Sequence, residues 1–591
     1  MKKIVTKLLH HLPVVTLVLL SVWAGRNIFL MEFYETHDGN HHISRGFDAV
    51  LTFSEGHFPL RWAGSLNHWC GVPIFNFFYP LIYYLVIIVN TFTNNVIHSL
   101  KIIDFASLVV TSVFTYLWLK NETKNKIAAF SGSVLYLFAP YRFLLLFVRG
   151  SPEYIAYAIL PIVLYFYSLA FDQSNNRKFV LYTFLATIFG GLLTISHNFT
   201  VMFLTPLLLF YLAIKVVKSS WVKIFRSNIE IVEVCKSKLF AITFSYISIF
   251  GIGAFFIFPT FIEERLTQLS IPRFAYTYHF SELWQIIRSR WGYGYSNEGV
   301  EMDDMSFMLG YAQWLVIVFV GIWFIYKIYK WHKNSKDKLS SNNLVWVISF
   351  YFLTLFAIFL MLSPSAFVWE SFPIIQRIQF PWRLLGIAMF TTAFFYAHWL
   401  CKISNKFVMM LIAIVVSILA IVGNRNHLLP FPIFPTEQPL YEEYDKRHYH
   451  RHSTTTFTND VLAPSAKDGD CSYTTPKVIT NSGEEISYTI NKQGSTYGEV
   501  VFEYDRQKYE GDRIVIAQSY YPDAHTILIN GNKVSYGDCV GKVCIKSDNL
   551  VDGENSISWS VHQTTVQKIF NAVSLGFLVV WIWILLKNLR K

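Results

Sequence analysis

LPVVTLVLLSVWAGRNIFLM, residues 12–31, is a mostly apolar run, and ETHDGNHH, residues 35–42, follows it almost at once. An α-helix needs about 20 apolar residues to cross the hydrocarbon core of a bilayer, so the first stretch predicts a spanning helix and the second a polar cluster at a membrane surface. The cluster holds two carboxylates, Glu35 and Asp38, and three imidazoles, His37, His41 and His42. An interfacial anchor would use Trp, Tyr, Lys or Arg instead. Loops carry function disproportionately, so this loop is a candidate site, set against the plainer alternative of a solvated connection.

Composition supports the same class. The chain has 591 residues, 53% hydrophobic, 18% aromatic and 15% charged, with a mean hydropathy of +0.36, which is too apolar for a soluble protein of this size. The net charge of +11 does not imply nucleic acid, because much of the Lys and Arg sits in short clusters between apolar runs, where it orients the chain in a bilayer. Lys2, Lys3 and Lys7 precede the first run, and large residues stand where a signal peptide would be cleaved. A retained first helix with a cytoplasmic N-terminus is expected, and the Glu35 to His42 loop then faces outside.

Further spans are predicted near 98–119, 127–147, 154–171, 179–196, 199–215, 239–258, 311–328, 343–362, 384–400, 407–422 and 567–587. Basic residues at Lys120 to Lys126, Arg177 and Lys178, Lys215 to Lys238, Lys327 to Lys338, Lys402 and Lys406, and Lys587 to Lys591 fall on one side. That gives about twelve crossings and a cytoplasmic C-terminus, or about thirteen if residues 73–90 also cross. Parity favours an interfacial or re-entrant segment there, which Asn76, Tyr79, Pro80, Tyr83 and Tyr84 suit.

Between 424 and 566 the character changes. Alternating stretches at Glu499 to Tyr504, Arg513 to Ala517, Thr526 to Ile529 and Ser556 to Val561 read as strands, with turns at Asn530-Gly531, Tyr536-Gly537-Asp538 and Asp552-Gly553-Glu554. The organisation expected is a transmembrane domain over 1–423 with its first external loop at 32–97, an extracytoplasmic β-sandwich over 424–566, and a last helix and cytoplasmic tail over 567–591. Of six cysteines, Cys539 and Cys544 are close enough to bridge across a turn; Cys70 and Cys471 show no obvious partner, and Cys235 and Cys401 are expected as cytoplasmic thiols. The His448 to His452 run reads as a basic linker.

Other polar groups collect at the external ends of spans: Arg149 and Glu153, His197 and Asn198, Arg273 in the loop from Pro259 to Gly310, and Arg383 in Phe380-Pro381-Trp382-Arg383. Singly, each has an ordinary explanation as an ion pair, a helix cap or a snorkelling cation. Their common side argues for a site. A carboxylate there can deprotonate an acceptor, guanidinium groups can hold a lipid phosphate, and aromatic faces can stack on sugars. With no nucleotide sugar outside the cell, the activated donor would be a polyprenyl-phosphate sugar carried in the membrane.

Glu35 to His42 with Arg45, Gly56-His57-Phe58-Pro59-Leu60-Arg61-Trp62, Gly71-Val72-Pro73-Ile74-Phe75 and Tyr79 to Tyr84 resemble the start of the membrane proteins called 6-pyruvoyl-tetrahydropterin synthase-related. Ala139-Pro140-Tyr141, Arg149-Gly150 with Glu153, Ser196-His197-Asn198 and Phe380 to Arg383 continue the likeness. Ser519 to Pro522 and Ile529 to Lys533 are similar to the closing module of YfhO-like proteins. The resemblance implies kinship with GT-C glycosyltransferases, a fold of about 12 to 13 transmembrane helices, and a lipid-linked sugar donor. It implies no pterin chemistry.

On that resemblance Asp38 is the candidate general base and Glu35 the second choice, where better-known members pair Asp-Glu or Asp-x-Asp. Substrate contacts are assigned to His37, His41, His42, Arg45, Arg61, Trp62, Arg149, Glu153, His197, Asn198, Arg273 and Arg383. A divalent metal, if one binds, would take Asp38, His42 and Glu153. The acceptor would be an extracytoplasmic glycan, lipid or protein. The rival classes are a transporter or flippase of lipid-linked glycans, which needs ionisable groups inside the bilayer, and a non-catalytic glycan-binding scaffold of the cell envelope.

Overall fold

A computed structural model describes residues 2–30, 34–67, 69–218, 229–270, 276–297, 303–333, 342–431, 460–466, 478–480, 484–509, 511 and 513–590. Arg273, Cys471 and the His448 to His452 run lie outside the described residues.

Every stretch expected to span is helical. Among the described residues, eight helices are long and apolar enough to cross a membrane by themselves: His11–Leu30, Val96–Thr123, Lys126–Arg149, Glu153–Phe171, Asn198–Lys218, Tyr311–Lys330, Lys406–Gly423 and Thr565–Arg590. Ser237–Ile252 and Ala254–Leu266 form a pair bent by 58° that counts as a ninth if it is one span. Leu81–Thr93 and Leu344–Leu360 are shorter apolar helices. At 1.5 Å per residue the 13 residues of Leu81–Thr93 reach roughly 20 Å, short of a hydrocarbon core of roughly 30 Å. The protein is therefore a polytopic helical membrane protein with a β-rich module before its last helix.

The helices share one continuous core in which Trp118 lies flat against Phe390 and Phe394, with ring centroids 5.3 and 4.7 Å apart. Lys126–Leu137 and Pro140–Leu144 meet at Phe138-Ala139, and a π-helical turn over Leu145–Arg149 closes the span. Such turns re-aim the residues at a helix end. Arg149 is the last residue of this turn, and Gly150 caps it in the left-handed region.

The β module has its own core and two antiparallel sheets. Strands β1 (Val478–Thr480), β4 (Arg513–Ser519), β8 (Lys542–Lys546) and β7 (Gly537–Cys539) make one, in the order β1-β4-β8-β7. The other runs β2 (Tyr488–Gln493), β3 (Tyr497–Tyr504), β9 (Gly553–Val561), β5 (His525–Ile529) and β6 (Asn532–Val534). Asn530 and Gly531, at φ of 48° and 81°, join β5 to β6 as a two-residue hairpin. The expected turn at Tyr536 to Asp538 falls instead at Val540-Gly541, both with positive φ, because Gly537 already pairs with Cys544 in the ladder. Cys539 and Cys544 are disulfide-bonded, and Cys70 is disulfide-bonded too, which the sequence did not disclose.

This module sits on the loop between the first two membrane helices. The Glu55 carboxylate accepts hydrogen bonds from the backbone N–H and hydroxyl groups of both Ser495 and Thr496. Beside it, a Cβ on Gly64 would stand 1.6 Å from the Ser495 carbonyl oxygen, so only glycine fits.

Candidate active site

Asp38 ends the first loop and begins the helix Gly39–Ser54. Its side chain does not cap that helix; it points instead to Arg149, whose Nη2 lies 3.5 Å from Asp38 Oδ2. Backbone bonds fix the pairing: His37 N–H donates to the Val148 carbonyl and Asp38 N–H to the Arg149 carbonyl, both at 2.9 Å. Gly150 makes this approach feasible, since it has φ of +61° and an added Cβ would meet Thr36 Oγ1 at 2.1 Å. Two segments more than a hundred residues apart thus meet as a short backbone ladder.

Behind this pair lies a buried layer. Glu153 Oε1 is 3.1 Å from Arg383 Nε and 3.7 Å from His197 Nε2, and Glu153 Oε2 accepts from the Tyr141 hydroxyl at 3.1 Å. The Arg383 contact is an ion pair without hydrogen-bond alignment, for neither atom meets hydrogen-bond geometry. Arg383 also donates to the Ile378 carbonyl. The rings bind the two guanidinium groups together: Phe380 lies 5.8 Å from the Arg149 carbon and 5.0 Å from that of Arg383, and Trp382 lies 5.5 Å from Arg149.

Exposure separates these groups by role. The side chains of Asp38 and Arg149 are 19% and 14% exposed, against 0% for Glu153, 4% for Arg383 and 3% for His197. Only the first pair can be touched from outside without rearrangement. Glu153 reads as the counter-charge that holds Arg383 in place.

Burial alone would push the Asp38 carboxyl up, but Arg149, with smaller help from His42, His41 and His37, holds it below the usual carboxylate range. His42 is pushed down to about 3, chiefly by burial and then by Arg45, and is neutral at neutral pH. Its Nδ1 pairs with the Tyr83 hydroxyl at 3.0 Å, while its Nε2 has no hydrogen-bond partner. His197 is lowered by burial and by Arg383 and Arg149; it packs on Tyr79 at 4.6 Å. Burial likewise lowers His37, which donates through Nε2 to the Tyr293 carbonyl at 3.0 Å and stacks on Tyr295 at 4.2 Å.

The other expected site residues are placed as follows. Arg45 is buried over the Phe78 ring, and His41 is half-buried on the first turn of the Asp38 helix. Glu35 is exposed, in a backbone bridge with Phe431. Asn198 donates to the Phe77 carbonyl. Arg61 and Trp62 lie apart from the Asp38 pair: Arg61 bonds Asn76, the Phe255 carbonyl and Asn571, and Trp62 packs edge-on against His525 of the β module. Both belong to the seam between module and bundle.

The sequence reading missed Tyr79, Tyr83, Tyr141, Tyr293 and Tyr295 as site residues. Trp291-Gly292-Tyr293-Gly294-Tyr295 carried a signal in its alternation of ring and glycine: a Cβ on Gly292 or Gly294 would come within 2.2 Å of Asp304, so the glycines let the strand-like pairing of Tyr293 with Met305 form. Among the described residues no three His, Cys, Asp or Glu side chains are grouped to hold a metal ion. Glu153 is engaged by Tyr141 and Arg383, and His42 by Tyr83, so Asp38, His42 and Glu153 do not make a ligand set.

No family model and no curated protein matches the chain. Among solved structures, the arabinofuranosyltransferase AftD from Mycobacteria aligns at 11% identity and a TM-score of 0.41, over 74% of this chain and 29% of that one. The oligosaccharyltransferase AglB from Archaeoglobus fulgidus, in complex with an inhibitory peptide and a dolichol-phosphate, aligns at 12% identity and 0.41, over 79% and 61%. ArnT from Cupriavidus metallidurans bound to undecaprenyl phosphate aligns at 9% identity and 0.30, over 82% and 96%. The chain thus spans less than two thirds of the first two structures.

Proposed function

We propose that this chain is an integral-membrane glycosyltransferase of the GT-C kind, moving a sugar from a polyprenyl-phosphate donor to an acceptor outside the cytoplasm. The observation that carries the proposal is the Asp38–Arg149 pair at the accessible edge of the site, backed by a second guanidinium, Arg383, across the shared ring of Phe380.

Arg149, at the accessible edge, offers its fork to a phosphate, and the Arg383 guanidinium adds positive charge from behind the shared Phe380 ring. Asp38 accepts the proton of the acceptor hydroxyl or amine as that atom attacks the anomeric carbon. The bond from carbon to phosphate oxygen breaks, its electron pair leaves on the phosphate, and Arg149 neutralises the charge. A single in-line displacement inverts the anomeric centre. Arg149 couples binding to basicity: once it turns to the donor phosphate, Asp38 loses the partner that most depresses its proton affinity and becomes the stronger base.

In this reading the first loop and the β module are extracytoplasmic and both termini cytoplasmic. The test is sugar transfer in proteoliposomes supplied with a panel of labelled polyprenyl-phosphate sugars and cell-envelope acceptors. Asp38→Asn is expected to remove transfer while the fold persists; unchanged transfer would remove Asp38 as base. Failure of the unaltered protein with every donor, together with movement of lipid-linked glycan between leaflets, would favour the transporter.

A further inference from the structure

A small, partly open cavity adjoins the Asp38–Arg149 pair, and the proposed chemistry does not use it. Gly39 and Gly150, the residues that follow Asp38 and Arg149, form part of its wall. Ile82, Leu100 and Leu146, from three helical segments of the bundle, supply an apolar side. Asp104, on Val96–Thr123, supplies a polar one: its carboxylate accepts from the Tyr34 hydroxyl at 2.6 Å and from that of Tyr154. Both tyrosines are buried, whereas Asp104 keeps part of its surface exposed. Lys101, one turn earlier on the same helix, acts on Asp104 as an opposite charge. Two further polar atoms of lining residues, Thr36 Oγ1 and His42 Nε2, have no hydrogen-bond partner, and their residues are only 8% and 4% exposed.

Buried polar atoms are normally satisfied, so two orphans around one cavity, beside a carboxylate on a membrane helix, mark a place for hydrogen-bonding groups brought by a ligand. Size and charge narrow the class. The cavity, about 30 Å³, is roughly two to three times what one water molecule requires. It takes a pair of hydroxyl groups, while a phosphate is both too large and repelled by the Asp104 carboxylate. The geometry points to a subsite that recognises the donor sugar by two hydroxyl groups on one edge of its ring, one donating to Asp104 and the other meeting Thr36 and His42. The ring itself stays beside Asp38 and Arg149. The donor is favoured over the acceptor because Ile82, Leu100 and Leu146 put the cavity on the bundle side of the first loop, where a lipid-linked sugar arrives. This inference rests on the glycosyl-transfer reading and names what the site selects, a sugar with free hydroxyls on neighbouring carbons.

The test is binding without turnover: the full chain in nanodiscs, titrated with undecaprenyl phosphate bare or bearing glucose, mannose or arabinose, and followed by native mass spectrometry. At least one sugar-bearing lipid is expected to be retained more tightly than the bare one. Thr36→Val keeps the shape of the side chain and removes an atom that bonds nothing in the structure, so a purely structural role predicts no effect. It is expected to leave the melting temperature unchanged and to weaken retention of the sugar-bearing lipid roughly fivefold, with Asp104→Asn weakening it roughly tenfold. Bare undecaprenyl phosphate should bind all three proteins alike. Equal retention of bare and sugar-bearing lipids by the unaltered protein, or no effect of Thr36→Val, would leave the cavity to water and overturn the subsite. Equal losses for the bare lipid would place the defect at the phosphate and overturn it too. A difference seen with free methyl glycosides and not with lipid-linked sugars would overturn the donor assignment in favour of the acceptor. A protein that retains the sugar-bearing lipid in this way but transfers nothing would sink the transferase reading and leave the subsite standing.

Discussion

Asp38 and Arg149 form a pair whose electrostatics can be tested directly. Because Arg149 is the largest influence lowering the Asp38 carboxyl, that carboxylate stays ionised as pH falls below its ordinary 3.8, and the acid limb of transfer is expected below about pH 4. Arg149→Gln leaves burial, which raises the carboxyl, unopposed by its main partner. The acid limb should then move up, and kcat should fall because the departing phosphate loses its cation. A pH profile of kcat/KM in both proteins reads the shift; an unmoved limb would mean that another group titrates. Asp48 works in the opposite sense. Burial pushes it up to about 7 despite the Ser65 and Leu66 N–H groups that point at it. A carboxyl raised in the folded state contributes stability that is complete below its unfolded value and is lost as pH rises toward the folded one. Stability is therefore expected to decline between about pH 4 and 7, by as much as a few kcal/mol. Asp48→Asn should flatten that slope in thermal melts.

The helix Gly39–Ser54 is held at both ends, by the ladder to Val148 and Arg149 and by the seat of Glu55 on the β module. Gly150→Ala tests the first. The new methyl group meets Thr36 Oγ1 in a left-handed backbone that alanine disfavours, so stability should fall by more than about 1 kcal/mol. Transfer should drop further than stability, because Asp38 is displaced from Arg149; kcat compared with the melting temperature separates the two. Much of this element could be read from the sequence: the acid and histidine loop, the break at Arg149-Gly150 and the Phe380 to Arg383 turn were each visible as polar residues interrupting apolar runs. Their convergence was not. It depends on the backbone bonds that pair His37 and Asp38 with Val148 and Arg149 and on aromatic packing between segments hundreds of residues apart, which no local pattern encodes. Arg61 and Trp62, close to Asp38 in sequence, lie instead at the seam with the β module, a placement that sequence proximity does not encode.

At the scale of the molecule, one buried carboxylate gathers partners from the bundle, the module and the last helix. Glu263, at the end of Ala254–Glu263, is 2% exposed and accepts from four groups: Asn76 of the first loop, Tyr521 of the β module, and Thr564 and Gln567 where the last helix begins. The alternation of the strands and the Asn530-Gly531 turn foretold the module, whereas nothing in the run Phe261-Ile262-Glu263-Glu264 marked the first acid as the hub rather than the second. Glu264 instead meets the exposed Arg377 at 3.0 Å, an arrangement worth little. Removing one partner of a buried network leaves the others unsatisfied, at about 1–3 kcal/mol for each orphaned group. Glu263→Ala should therefore loosen the module far more than Glu264→Ala. Hydrogen exchange on the full chain in nanodiscs gives the measurement: Glu263→Ala is expected to raise exchange in the seam around Tyr521, Thr564 and Asn76 while leaving the sandwich core at Val500, Ile527 and Ile557 protected, since those residues pack in a separate cluster. If the seam stays as protected as in the unaltered protein, the Glu55 seat suffices to hold the module, and Glu263 is not the joint.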